Sequence, residues 1–183
     1  MSNIHENDRY ALRAGPGSWN DADMLQCGQP GIALGVCRLV LSLWSLAKSP
    51  MLIGADVRHF STETLSLLKN PEMIAVSQDS LGEQGRWVAG STSQQVWAGR
   101  LSNDRFAVTL VNMDNTTTAD VQLTWAMLPG DVATAAKYTV RDMWARTELG
   151  VHKGRISLQV AVHTFLRPYQ TLPYSCRFVL KIV

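Results

Sequence analysis

The sequence is poor in cysteine, in clustered charge and in long apolar runs, and each shortage removes a class of explanation. Only Cys27, Cys37 and Cys176 are present. Three is an odd number, their spacing fits no metal-binding pattern, and they make no disulfide framework by themselves. Buried or free thiols are the expectation, with a Cys27–Cys37 pairing as the alternative. The formal charge is only +2, with Lys and Arg scattered along the chain. Neither nucleic acid nor an acidic membrane surface is therefore an expected partner. The most apolar stretch, Gly31 to Ala47, carries Arg38 and falls short of a membrane span, so it reads as a buried helix. Met1 to Glu6 shows no charged leader before an apolar core, and no secretory signal is expected there.

What remains is ordinary folded-protein material. An apolar content of 46% against 17% charged residues is enough to build a core and argues against disorder. The chain reads in two halves. Up to about Ser80 the pattern is strand, helix, strand, helix. A Gly-Pro-Gly loop leads into the run Trp19 to Leu25, and a helix is predicted over Ile32 to Lys48, stopped by Pro50. Met51 to Asp56 reads as a short strand buried on both sides, the kind found in parallel sheets. Ser61 is a predicted N-cap with Glu63 in the first turn, and a short helical piece follows over Glu72 to Val76. The glycine-bearing stretch to Gly85 marks the predicted boundary.

Beyond it the periodicity becomes two. Strands are predicted at Val96–Trp97, Phe106–Val111, Val121–Trp125, Tyr138–Met143, Ile156–Val162 and Phe178–Val183, with turn signals between them. Short, regularly spaced strands without helices imply an antiparallel sandwich with a core of its own. The first half has too few parallel elements to cover its own apolar surface. One glycosylation sequon is present, at Asn115.

The densest polar cluster is Trp19-Asn20-Asp21-Ala22-Asp23-Met24. On an extended segment Asp21 and Asp23 face the same way, with Cβ atoms roughly 6–7 Å apart. Retaining glycosidases hold two carboxyl groups about 5–5.5 Å apart, so a nucleophile and acid/base pair is one reading. The other is that one Asp bonds local backbone while its neighbour faces solvent or supports the site.

The run Ala14-Gly-Pro-Gly-Ser-Trp-Asn-Asp-Ala-Asp-Met-Leu25 is very similar to the AGPGGWNDPDML signature of α-galactosidases and α-N-acetylgalactosaminidases, the melibiase family. Leu43 to Arg58 resembles that family's WALAKAPLLIGCDVR, and Glu72 to Gly85 its EVIAVNQDxLGxQG. Val96 to Leu101, Val111-Asn112 and Arg141 to Trp144 resemble further motifs in the same order. The resemblance implies an α/β plus all-β fold: residues 1–81 as the last two βα units of a (β/α)8 barrel, and residues 82–183 as an antiparallel β-sandwich. It implies hydrolysis of terminal α-linked galactose by a retaining mechanism. Asp23 and Met24 match positions lining the galactose pocket. Asp21 and Trp19 match supporting positions, with Asn20 shaping the loop and Asp56 and Arg58 bracing the barrel mouth.

The family's nucleophile and acid/base lie in YxKxD- and WRxxxDI-type strands. Neither motif occurs in this sequence, so no catalytic residue is assigned and Asp21/Asp23 is not the catalytic pair. The expectation is a truncated chain, inactive alone, whose partners are an α-galactoside and a missing N-terminal barrel portion. No metal or organic cofactor is implied, and compartment stays open between the family's secreted and vacuolar or lysosomal habits. The alternative is a non-catalytic carbohydrate-binding or interaction module, with Trp87, Trp97, Trp125 and Trp144 as a sugar platform if an exposed coplanar pair exists. Three departures from the family pattern stand out: Ser18 for glycine, Ala22 for proline and Ser77 for asparagine. The segment after His163 also leaves the family's course.

Overall fold

The computed structural model describes residues 2–114, 116–161 and 175–182, with backbone only for residues 2 and 175–182. Asn115, and with it the sequon, lies outside the described residues, as does most of the divergent segment after His163. Four helices come first: α1 (Ser2–Arg9), α2 (Leu34–Ala47), α3 (Thr62–Leu68) and α4 (Pro71–Ser77). Eight strands follow: β1 (Arg86–Gly90), β2 (Gln94–Leu101), β3 (Arg105–Asn112), β4 (Ala119–Thr124), β5 (Lys137–Asp142), β6 (Thr147–Lys153), β7 (Arg155–Val160) and β8 (Ser175–Ile182).

The strands form a six-stranded sheet in the order β1-β2-β3-β8-β5-β6 and a two-stranded sheet of β4 and β7. Every pairing between them is antiparallel. Side chains alternate faces along a strand, and β2 and β3 are apolar on both. Val96, Ala98, Phe106, Val108 and Leu110 point at Val121, Leu123, Ile156 and Val160 of the small sheet. Trp97, Leu101, Ala107 and Val111 point the other way, into a cluster with Leu39, Leu43 and Leu46 of α2 and Met73 and Val76 of α4. The expected sandwich core is present. A second core joins the sheet to the helices, so the large sheet is a middle layer.

Close approach makes that second core possible. A Cβ on Gly85 would sit 2.4 Å from Cγ of Leu46, and one on Gly99 would sit 2.8 Å from Cα of Gly85. Only glycine lets the helix, the linker and β2 meet at that spot. Polar ties reinforce the join. Asn70 caps α4 by accepting from the N–H groups of Glu72 and Met73, while its amide donates to the Met143 carbonyl at 3.1 Å. Arg141 of β5 forks onto both oxygens of Glu72, at 2.9 and 2.7 Å.

Several expectations hold: α2 within the predicted run, the Ser61 cap accepting from Thr64 N–H, and the period-two strands. Three are corrected. Cys27 and Cys37 form a disulfide, where free thiols were expected. Packing of the loop after Leu25 against α2 brings their Cα atoms to 5.1 Å, a proximity that sequence spacing cannot reveal. The Met51–Asp56 segment is not a buried strand. Ile53 makes a single parallel bridge to Leu25, and Leu52 and Ile53 are 57% and 43% exposed. A parallel strand needs neighbours on both sides, and here one side is open among the described residues. Nor is Trp19–Leu25 a regular strand.

Lys48 ends α2 in the left-handed conformation, with φ +58°. It is buried, donates to the Val76 carbonyl and faces the charge of Asp79. Burial lowers its pKa from 10.5 to about 8, against a smaller opposing pull from Asp79. The folded value lies below the unfolded one, so between those two pH values the unfolded chain holds more protons and stability rises with pH. The expected rise is at most about 3 kcal/mol, read from urea midpoints across that window, and Lys48→Met should flatten it. The disulfide closes a short loop, for which chain entropy gives about 2–3 kcal/mol. Cys37→Ser should lower unfolding free energy by about that amount, and titration of the denatured, unreduced variant should find one more free thiol per chain than the unaltered protein, from Cys27.

Candidate functional site

The polar cluster that stands out in the sequence folds into a strained and tightly held loop. Asp23 has φ +79°, a region that costs a non-glycine residue energy unless its surroundings impose it. Those surroundings are visible. Trp44 of α2 donates its indole N–H to the Asp23 carbonyl at 2.6 Å. The Asp23 N–H donates to Oδ1 of Asp21 at 2.9 Å, and its own Oδ1 accepts from Met24 N–H at 2.7 Å. Asn3 of α1 reaches Oδ2 at 3.4 Å.

The flanks are fastened in the same way. Ala22 N–H donates to Ser49 Oγ at 2.7 Å, and that hydroxyl donates to the Asn20 carbonyl at 2.9 Å. Asn20 in turn donates to the Tyr10 carbonyl and to Gln84 Oε1. The change from proline to Ala22 thus supplies a donor that proline lacks. Ser18 lies outside the positive-φ residues of the chain, so a side chain there costs the loop nothing in strain.

With Asp23 turned out of extended geometry, the two carboxylates are not a facing pair on a strand. Asp21 is spent on the Asp23 backbone, which is the local-bonding arrangement. Both line a polar cleft of about 360 Å³ between α1 and the Asn20–Asp23 segment, with Asn3, Glu6, Asn7 and Tyr10 on its other wall. Within it the buried Nδ2 of Asn7 has no hydrogen-bond partner among the described residues. Met24 stands 51% exposed beside the cleft loop, its Cβ packed toward Gly54. Trp19 is 41% exposed and lies against Gly82. Asp56 and Arg58 pair with each other, Arg58 forking onto both oxygens, and the guanidinium holds the Asp56 carboxyl below its usual range. His59 of the same turn brings its Nε2 to 3.6 Å from Asp56 Oδ2. No group of His, Cys, Asp and Glu among the described residues is arranged to hold a metal ion.

The four tryptophans do not make a platform. Trp97 and Trp125 are buried in the two cores, Trp144 packs under Arg38 at 5.9 Å, and Trp87 stacks with His5 and Trp97. Sequence reasoning missed the clamps: Trp44 and Ser49 read as part of an apolar helix and its end, and Asn3 and Gln84 carried no signal. Trp44→Phe keeps the ring and removes the donor. It is expected to cost about 1 kcal/mol and to speed amide exchange at Asp23 and Met24 more than in the sheets.

Comparison with known proteins gives the family. Residues 2–79 match the family model described as alpha galactosidase A, and residues 91–166 match the alpha galactosidase C-terminal beta sandwich domain. An α-galactosidase of Oryza sativa subsp. japonica is 44% identical over 88% of this chain and 38% of its own. The crystal structure of α-galactosidase I from Mortierella vinacea superposes with a TM-score of 0.87 at 28% identity, covering 100% of this chain and 44% of that one. A Saccharomyces cerevisiae α-galactosidase solved with raffinose shares the fold, with a TM-score of 0.82 at 18% identity, over 99% of this chain and 51% of that one. The chain spans about two fifths of the curated relative's length. It belongs to the α-galactosidase family of glycoside hydrolases.

Proposed function

We propose that this chain serves as the closing part of an α-galactosidase, with residues 1–81 as the last two βα units of a (β/α)8 barrel and residues 82–183 as its C-terminal sandwich. The observation that carries the reading is the clamped, left-handed Asp23 beside exposed Met24, within the motif by which the family is recognised. Strain of this kind gathers where a side chain must be aimed at a ligand. The parallel Leu25–Ile53 bridge supports the barrel assignment. So do the bared Leu52, Ile53 and Val57, which suit a further strand-and-helix layer.

On this reading Asp23 accepts hydroxyl hydrogen bonds from a terminal α-galactosyl residue, Met24 packs on the sugar, and Asp21 and Trp19 hold the loop. A carboxylate nucleophile and a carboxylic acid complete the retaining reaction: the first attacks the anomeric carbon while the second protonates the departing oxygen, and water then releases the sugar. Both groups belong to the polypeptide that docks on the bared strip, since the YxKxD and WRxxxDI motifs are not in this sequence. The binding-module alternative called for an exposed coplanar tryptophan pair, an arrangement the four sandwich tryptophans do not offer.

Residues 1–183 alone are expected to leave an aryl α-galactoside untouched. A chimera placing them after the upstream portion of the rice relative is expected to hydrolyse it. In that chimera Asp23→Asn should lower kcat/KM roughly 10- to 150-fold, the worth of a charged hydrogen bond. Turnover by residues 1–183 alone, lost on Asp23→Asn, would overturn the placing of the catalytic groups. A chimera indifferent to that change would overturn the pocket role.

A further inference from the structure

Residues 26–32 follow the Asp23 loop and form a small block that is fastened at several points. Gln29 N–H donates to the Gln26 carbonyl and Ile32 N–H to the Gln29 carbonyl, each at 3.1 Å, so two turns share one residue. Gly28 lies against the Phe60 ring with φ +89°, where a Cβ would overlap the ring edge. Cys27 is bonded to Cys37 in the first turn of α2. Both cysteines are buried beside Leu67, with Leu68 and Trp144 packed on them. The last fastening points toward the site: the Gln29 side-chain amide donates to the Gly54 carbonyl.

Gly54 is the floor under Met24. Its N–H donates to the Leu25 carbonyl at 2.8 Å and its carbonyl accepts from Gln29, so both of its backbone polar groups are held. A Cβ on Gly54 would sit 3.0 Å from Met24 Cβ and 3.6 Å from Met24 Cε. Both ends of the Met24 side chain therefore lie over this glycine. Methionine has three rotatable bonds and adapts to the surface on which it rests. The place of Gly54 thus sets the course of Met24, and the crosslinked block sets the place of Gly54.

A crosslink restrains the unfolded chain wherever it closes a loop of a given length, and its location decides what else it does. Among the described residues, Gln29 makes the only side-chain hydrogen bond that leaves the loop between Cys27 and Cys37. We infer that this disulfide is a positioning element of the sugar pocket, fixing the Met24 side chain through Gln29 and Gly54. The inference rests on the reading that Met24 packs on the sugar. Such packing serves the bound sugar and the transition state alike, so a loosened Met24 weakens binding and spares the chemical step.

The first measurement uses the full chain with carbon-13 in the methionine methyls. The Met24 signal is identified by Met24→Leu and followed through its cross-relaxation to Gly54. Cys27→Ala/Cys37→Ala removes the crosslink, Gln29→Leu keeps it, and each should abolish that cross-relaxation. Met73 and Met143 are buried between the helices and the sheet, and their unchanged signals report an intact fold. The second measurement uses the rice chimera. There both changes should raise KM for an aryl α-galactoside roughly 2- to 12-fold, the ordering cost of one side chain, at unchanged kcat. Met24 undisturbed by either change would overturn the inference. An unchanged KM in a chimera that Asp23→Asn still cripples would also overturn it, and would leave the galactose pocket standing. A chimera indifferent to Asp23→Asn would remove the pocket and the inference together.

Discussion

A sheet that is apolar on both faces is the constraint on which the rest of this molecule depends. β2 and β3 send alternate side chains into two separate cores, so the sheet has no face it can leave in water. The two-stranded sheet covers one side, and α2 must lie on the other. That requirement fixes the position of α2, and α2 carries Trp44 while its end leads to Ser49. Those two side chains hold the Asp23 loop. The site geometry is thus inherited from sheet packing, through one helix.

The join is strong because several kinds of interaction coincide there. Two glycines allow Leu46 to reach the sheet, Asn70 serves one helix as a cap and the turn after β5 as a donor, and Arg141 grips Glu72. Asp79 adds another link. Although its burial disfavours the charge, donors from Ser102 and Leu81 and the nearby Lys48 outweigh that and hold its carboxyl below the usual range. It also pairs with Arg105 of β3. By contrast, the opposite edge of the helical layer is bare. Leu52, Ile53, Val57 and Met24 face outward, and only one parallel bridge ties the two extended segments there. The helical layer is closed toward the sandwich and bare along its other edge.

Legibility followed the physics of each element. β4 announces itself by alternation, β3 by a near-continuous apolar run, and α2 by its apolar circumference. β6 is largely exposed and carries Gly150 in mid-strand, so it has no period to detect. β1 is short and bulged between Trp87 and Ala89. α1 is almost wholly polar, and Ile4 and Asn7 are its buried residues, which is too little for a stripe. It holds its place by tertiary bonds: Asp8 accepts from Trp87 N–H, and Asn7 from Gln84. The Met51–Asp56 run failed for a different reason. Its apolar composition suggests a buried strand, but burial needs neighbours that the described residues do not supply.

By itself, the sequence determined the family, α2 and most of the strands, and the segment around Asp23 as the place to look. These rest on local pattern and on motif, both of which are one-dimensional. Only the tertiary structure decided that Asp21 supports the Asp23 backbone instead of facing it, and that Trp44 fixes a left-handed turn. It also decided that Cys27 and Cys37 are joined and that Gln29 reaches Gly54. Each of these depends on the meeting of segments that are distant in the chain, or on a backbone angle imposed by such a meeting. A residue's type limits what it can bond, but packing chooses the partner.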